Sequence, residues 1–596
     1  MKKYIFALTL FISSFTVFSQ TIPFYKSYDW DQNPVYSINN SNDEDLIALK
    51  EKTVTEFHFD EQALVEYFLE HKILWLNSDD AIEEYNKIYL PFSTESELQV
   101  NKARVVAKDG KIINLDESKI LSAQDEETGR QYKYFALEGI TKGSFIEYLY
   151  VVKKQPSYTG KKLEIQSDYS KQNVEFDLFS PSNLTFKFKS FNGLPEVVLD
   201  TLAKDKFHYK LYVKNIKKLE NEYMSAYKAS KGCVVYKIDK NIATNVSDIV
   251  SYNKVSQNLY SFYNPVYESK TIELLNKFIK EAQIPENADE ETIIRKLEFF
   301  IKINVYSSEA YSEELQDLDK VLTKKVANES GTLKLYIALF RTLNIKHQLV
   351  LTSDRNKLKF DKDFQANNFL TDFLIYFPKY NKYLEPTAQE RRYGYPTPTL
   401  MDNYGLFIKE VVTDNSKSAA GEVKYIQPIK SDNTKDIMVV DIAFNSDDLT
   451  QNTIHFDRSF SGYYAANIQP FMHLIVGENR DELVEGFIEN ISKEITIEKK
   501  EIINGESELF GVKPLQFIVD FSTEAFVEKA GRKYLFKLGD IIGPQIQMYQ
   551  EKERVLPLEE QFHRSYFRTI NIKIPEGYKI TNLDDINIDN SYAEGN

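Results

Sequence analysis

Apolar and polar positions change rhythm twice along this chain. From about 42 to 262, short runs alternate or cluster apolar residues between turn residues, as at 72–75, 88–90, 103–106 and 145–152. That period of two predicts strands. In SFIEYLYVVKK, Phe145, Glu147, Leu149 and Val151 fall on one face, and Ile146, Tyr148 and Tyr150 on the other. One acid on an apolar face is expected at a sheet edge or rim. Asp109-Gly110, between RVVAK and KIINL, predicts a hairpin with a two-residue type I′ turn, and Gly143 a second turn.

From about 266 to 410 the period becomes helical. Residues 267–282 place Ile272, Leu275, Phe278 and Ile279 on one side, and Pro285 ends that run. Residues 289–303 repeat the spacing with Ile293, Ile294, Leu297, Phe300 and Ile301, behind Glu290 and Glu291 in the dipole-favoured first turn. Residues 332–343 are apolar nearly all round, so this helix is expected in the middle of a domain, with Asn344 as its left-handed cap. Strands follow at 347–353, 373–377 and 382–387, with a turn at 378–381.

From about 411 to 596 the pattern returns to strands, at 437–442, 453–456, 515–521 and 569–574, with one helix near 481–491. The acidic runs DFSTE and NLDDINIDN lack calcium-loop spacing. No internal repeat or low-complexity linker is visible. The chain stops soon after the last strand, as a shortened sequence would.

Composition fits this division. A chain of 596 residues is too long for one core, and three domains are expected. The 40 Phe and 39 Tyr favour a strand-rich interior. Two Gly- or Pro-flanked aromatic loops, 393–395 and 461–464, are candidates for exposed rings that could stack on a sugar.

The N-terminus reads as an export signal. Lys2 and Lys3 precede an apolar stretch from Tyr4 to Val17, and Val17-Phe18-Ser19 places the cut just before Gln20. The apolar stretch is too short to span a bilayer comfortably, and no Cys stands there to take a lipid. No other run is long and apolar enough for a transmembrane segment, so the mature chain is expected in the periplasm or cell envelope. Removing Lys2 and Lys3 takes the formal charge from −15 to −17. Such acidity, without a basic stripe, argues against nucleic acid as a partner. The single Cys233 lies in an apolar strand-like run and reads as a small core residue.

Two resemblances bear on chemistry. RVVAKDGKIINLDESKI (104–120) and FALEGITKGSFIEYLY (135–150) resemble the domain of unknown function that precedes transglutaminase-like domains in secreted proteins of Gram-negative bacteria. Glu138 stands where that family usually has Pro. The resemblance implies a β-sandwich or open barrel. ANESGTLKLYIALFRTLNI (327–345) resembles the core helix of bacterial transglutaminase-like, papain-like domains, G-D-C-x-D-x-(A/T)-x-L-x-x-A-L-L-R-x-x-G-I. INIKIPEGYKI near the end resembles the C-terminal β domain often attached to them.

The full expectation is an α+β multidomain protein. It comprises a signal peptide (1–19), an N-terminal β-sandwich or barrel-like domain (42–262), a papain-like transglutaminase-like domain (266–410) and a C-terminal β-rich domain (411–596). That family uses a Cys–His–Asp triad in which a thiolate at a helix N-terminus attacks an amide. Here Arg341, Ala338 and Asn344-Ile345 match the helix motif, and Glu329 stands at the cysteine. Asp372 opens the next strand in the place of the histidine, and Glu385 in YLEPT stands in the place of the aspartate.

None of the three is a thiol nucleophile, and no His adjoins them. His347 reads as a core or edge histidine. No catalytic residue, cofactor or metal is therefore expected. The fallback nucleophile is Ser330, and clustered acids could otherwise hold a hard cation. The leading expectation is a pseudoenzyme with a binding or scaffolding role toward peptide, peptidoglycan or glycan in the envelope. A divergent hydrolase or transferase using Ser330 or the acidic cleft, and a purely structural envelope protein, are the alternatives.

Overall fold

A computed structural model describes residues 22–32, 34, 36–38, 43–60, 63–90, 96–116, 119–124, 131–201, 206–413, 416–489, 491, 494–587 and 589. The export signal at 1–19 and its cut before Gln20 lie outside them. The chain is a β-rich, multidomain α+β protein whose contacts divide it into two compact units. One holds residues up to 221 together with 230–250, and the other holds 222–229 together with 251–596. Among the described residues, no helix is long and apolar enough to cross a membrane.

The first unit is built on β1 (Leu46–Asp60), β2 (Ala63–Leu76), β3 (Glu97–Val106), β4 (Ser144–Lys154), β5 (Ser170–Pro181) and β6 (Lys206–Ile216). They form one eight-stranded sheet in the order β6-β5-β1-β2-β4-β3, with Val198–Leu199 outside β6 and Ile112–Asn114 outside β3. All neighbours are antiparallel except β1 and β5. Two smaller sheets pack around it, one of them through Val234, Tyr236 and Ile238 against Phe176 and Leu178. Cys233 begins a strand of that sheet and is buried and free, as a core residue.

The alternation read along β4 holds: Ile146, Tyr148 and Tyr150 enter one core, and Leu149 and Val151 another. Glu147, however, is not at a rim. β4 lies between β2 and β3, and Glu147 has no exposed surface. It is tolerated there because His71 Nε2 (2.8 Å), Arg104 Nε (2.5 Å) and the Tyr36 hydroxyl all donate to it. The 107–111 hairpin also forms, but only Gly110 has positive φ (86°). The Gly110 N–H donates to the Ala107 carbonyl, and the Ala107 N–H to that of Lys111. The loop is thus a type I turn closed by a glycine bulge rather than a type I′ turn, which needs two left-handed residues.

Beyond residues 222–229, the second unit continues with α1 (Tyr252–Tyr263), where the alternating pattern predicts strands to about 262. Ser251 caps it by accepting from the Lys254 N–H. Then come α2 (Ser269–Glu281), α3 (Glu290–Asn304), α4 (Leu318–Lys324) and α5 (Glu329–Thr342). The strands β7 (Gln348–Thr352), β8 (Asp372–Phe377), β9 (Lys382–Leu384), β10 (Asn403–Thr413) and β11 (Ser416–Ile426) form an antiparallel sheet ordered β9-β8-β7-β10-β11. This sheet includes residues on both sides of position 410.

α5 is the centre of this half. Leu335, Tyr336, Ala338, Leu339 and Phe340 are fully buried among α2, α3, α4, β8 and β9. A second five-stranded sheet follows, from β12 (Lys435–Phe444), β13 (Asn452–Phe460), β14 (Ile495–Ile503), β15 (Leu515–Thr523) and β16 (Ser565–Ile572). Its order is β14-β15-β13-β12-β16, and α6 (Glu478–Glu489) covers its core through Val484 and Ile488.

Candidate functional site at the head of the buried helix

Local chemistry fixes where α5 starts. Asn328 leaves the helical region (φ −89°, ψ −176°), and its side chain accepts from the Gly331 N–H at 3.0 Å. The Asn328 N–H donates to the Leu315 carbonyl at 3.1 Å, which ties the helix head to the preceding loop. Gly331 permits that approach: a Cβ there would lie 2.0 Å from the Leu315 carbonyl oxygen. At the other end Asn344, with φ 57°, caps the helix as expected.

The three family positions have different fates. Glu329 is the first residue of α5 and is exposed at its rim. Partial burial, and then the negative charge of Asp372, raise its carboxyl pKa. The fold therefore brings Glu329 and Asp372 within electrostatic reach. Asp372 opens β8 and accepts from the Thr371 hydroxyl at 2.6 Å.

Glu385 is drawn elsewhere. It is 9% exposed, and its carboxylate accepts from the Thr397 N–H at 2.6 Å. Burial raises its pKa, against that hydrogen bond and the charges of Lys302 and Arg391. The buried Lys302 ammonium donates to the carbonyls of Glu385 (3.1 Å) and Arg391 (2.6 Å) and to Glu298 (3.0 Å). Glu298 in turn accepts from the Tyr393 N–H at 2.6 Å. Glu385 thus belongs to a buried lock that holds the loop after β9 against α3.

Ser330 meets the Tyr263 phenol, which is buried and whose pKa burial raises. Tyr263 was absent from the sequence reading, although Ser251 followed by Tyr252, Val255, Leu259 and Tyr263 carries the cap and spacing of a helix. His347 lies at the opposite end of α5, against the Phe340 ring at 5.5 Å. No nucleophile–base pair is formed by these residues. Two carboxylates at a helix head, one with a raised pKa, can accept hydrogen bonds or meet a cation. Among the described residues, no group of three or more His, Cys, Asp and Glu is placed to hold a metal.

The candidate sugar-stacking loops are not open. Tyr393 is fully buried and donates to Glu291 at 3.0 Å. Tyr463 is 6% exposed and donates to the Pro396 carbonyl at 2.8 Å, and Tyr395 packs on Tyr463 and Phe510. Their Gly and Pro neighbours shape tight turns in an interior contact, a distinction that composition does not carry.

Residues 66–220 match the family described as "Domain of Unknown Function with solved-structure structure (DUF3857)". No curated protein sequence matches the chain. Among solved structures, the chain is similar to a "putative protease" from Parabacteroides distasonis. Identity is 10% and the TM-score 0.48, over 80% of this chain and 93% of that one. Two structures of native leukotriene A4 hydrolase from Saccharomyces cerevisiae align at 13% identity, with TM-scores of 0.18 and 0.19. They cover 32% and 39% of this chain, which spans 29% and 36% of theirs.

Proposed function

We propose that this is an exported envelope protein with a transglutaminase-like central domain that acts by binding rather than by catalysis. The carrying observation is the head of α5. By the resemblance read in the sequence, Glu329 takes the place of the family's thiol and Asp372 that of its histidine; in the fold these two carboxylates feel each other, and Ser330 meets a phenol instead of a base. An amide cannot be attacked without a nucleophile and a group to take its proton. The third carboxylate, Glu385, is committed to Thr397 and cannot orient a base.

The test is chemical. The purified protein is expected to give no fluorophosphonate adduct at Ser330 and no turnover of peptide amides. A label abolished by Ser330→Ala would replace this reading with that of a serine hydrolase. The alignment is tested separately with Glu329→Cys/Asp372→His, read by alkylation across pH 5–9. The new thiol is expected to react as one with a pKa below the ordinary value of about 8.5. Cys233 is buried and leaves the background clean. An unshifted thiol would place the family's cleft elsewhere in the chain.

A further inference from the structure

A groove of about 910 Å³ opens at the tail of α5, with Tyr263 also in its wall. Its volume falls within the range of roughly 300–1,000 Å³ usual for ligand sites. Arg341 of α5, Lys346, Lys409 of β10 and Lys417 of β11 line it, with Glu410 as the one acid among its lining residues. Four cations against one acid is a local reversal in a chain of formal charge −15.

Of these cations, Lys417 is paired with the acid and the other three are not. The Tyr260 hydroxyl donates to Glu410, and Lys417 lies 3.7 Å from the same carboxylate. Arg341 is held in place by the Pro265 carbonyl at 3.0 Å and by the Tyr267 ring at 4.8 Å. Lys346 and Lys409 are exposed and have no acidic partner among the described residues.

The groove also offers acceptors. His347 Nδ1 lies 2.8 Å from the Ile345 carbonyl. A carbonyl can only accept, so Nδ1 carries the proton and Nε2 keeps its lone pair. Burial lowers the His347 pKa, which keeps the ring neutral. Gln348 Oε1 is buried with no hydrogen-bond partner among the described residues, and a buried acceptor is costly to leave unmet. Tyr260 and Tyr267, both half-buried in the wall, add ring faces. β7 is already paired on both sides, to β8 and β10, so an extended peptide has no free edge of β7 to join.

We propose that this groove binds an acidic oligosaccharide, with a sugar carboxylate toward Lys346 and Lys409 and hydroxyls toward His347 and Gln348. Such a ligand supplies an anion, hydroxyl donors and flat ring faces together, which is the set the groove presents. The proposal does not rest on the reading of the α5 head. An active Ser330 would leave it standing, and its failure would leave that reading untouched.

The full mature chain is titrated calorimetrically with a galacturonic acid trisaccharide, its neutral galactose counterpart and an acidic peptide of equal charge. The acidic sugar is expected to bind at least ten times more tightly than the other two, and more weakly as salt is raised. Lys346→Glu/Lys409→Glu, both at exposed positions, is expected to lose at least tenfold in affinity with an unchanged melting temperature. Absence of saturable binding by the wild-type chain would overturn the proposal. So would equal binding of the neutral sugar or the peptide, or equal affinity in the double variant.

Discussion

At Gly331 one hydrogen atom decides whether α5 can start where it does. The Leu315 carbonyl occupies the space a Cβ would need. Gly331→Ala must move backbone, and is expected to cost about 1–3 kcal/mol or more, measured by chemical denaturation. Glu329 gives the opposite sign. Its carboxyl pKa is raised in the fold by partial burial and by Asp372, so its charge disfavours the folded state at neutral pH. Glu329→Gln is therefore expected to raise the melting temperature at pH 7. The gain should fade as the pH falls through the raised carboxyl pKa, where the wild type takes up its proton. A neutral or destabilising effect at pH 7 would contradict the electrostatics described for this site. Neither effect is legible in the sequence: Gly331 is one glycine among 21, and Glu329 one of 89 acids.

At the scale of elements, the central strands of the large sheet carry a polar group that their pattern misplaced at a rim. Burial works against the Glu147 carboxylate, but hydrogen bonds from His71, Tyr36 and Arg104 outweigh it and lower its pKa. Its contribution is present above the unfolded carboxyl value of about 4.3 and is lost as the pH falls through its lower folded value. His71 donates from Nε2 to Glu147 and accepts from the Tyr28 hydroxyl at Nδ1, and burial lowers its pKa. It stays neutral when folded but takes a proton below about 6.5 when unfolded, so stability falls with pH there also. Burial lowers the pKa values of His58 and His347 in the same sense. Denaturation midpoints are expected to drop from pH 7 to 5 and again below about 4.5. His71→Gln should flatten the first fall by about one proton's share, and Glu147→Ala should cost about 3 kcal/mol at pH 7, because His71 and Tyr36 lose their acceptor and Arg104 is left with Asp31 alone. Alternation gave the faces of this strand correctly. Its depth was hidden, because the neighbours that cover Glu147 come from residues 36, 71 and 104.

At the scale of the whole molecule, residues 251–596 cohere through polar clamps as well as cores. The Arg355 guanidinium, 6% exposed, donates to Glu559 (2.9 Å) and to the carbonyls of Pro398 (3.2 Å), Glu560 (2.8 Å) and Gln561 (3.3 Å). Arg295 donates to the Phe510 carbonyl at 3.1 Å, and Tyr463 to that of Pro396. A proteolytic cut in the loop 427–434 is therefore expected to leave two pieces that co-elute in gel filtration. Arg355→Ala should weaken that association and cost about 1–3 kcal/mol, since it leaves the buried Pro398 carbonyl unmet and removes the ion pair to Glu559. Separate elution of the wild-type pieces would show that the clamps do not hold. The sequence by itself determined the elements that depend on near neighbours. The apolar helix expected at 332–343 and found at 329–342, its Asn344 cap, the strands that follow it and the alternation of β4 are all local patterns of period and capping. Only the tertiary structure decided which charges are buried, that Glu329 feels Asp372 while Glu385 is locked to Thr397, and that the tyrosine loops turn inward. Those outcomes depend on what residues tens to hundreds of positions away bring to the same point, and burial and field strength exist only once the chain has closed around it.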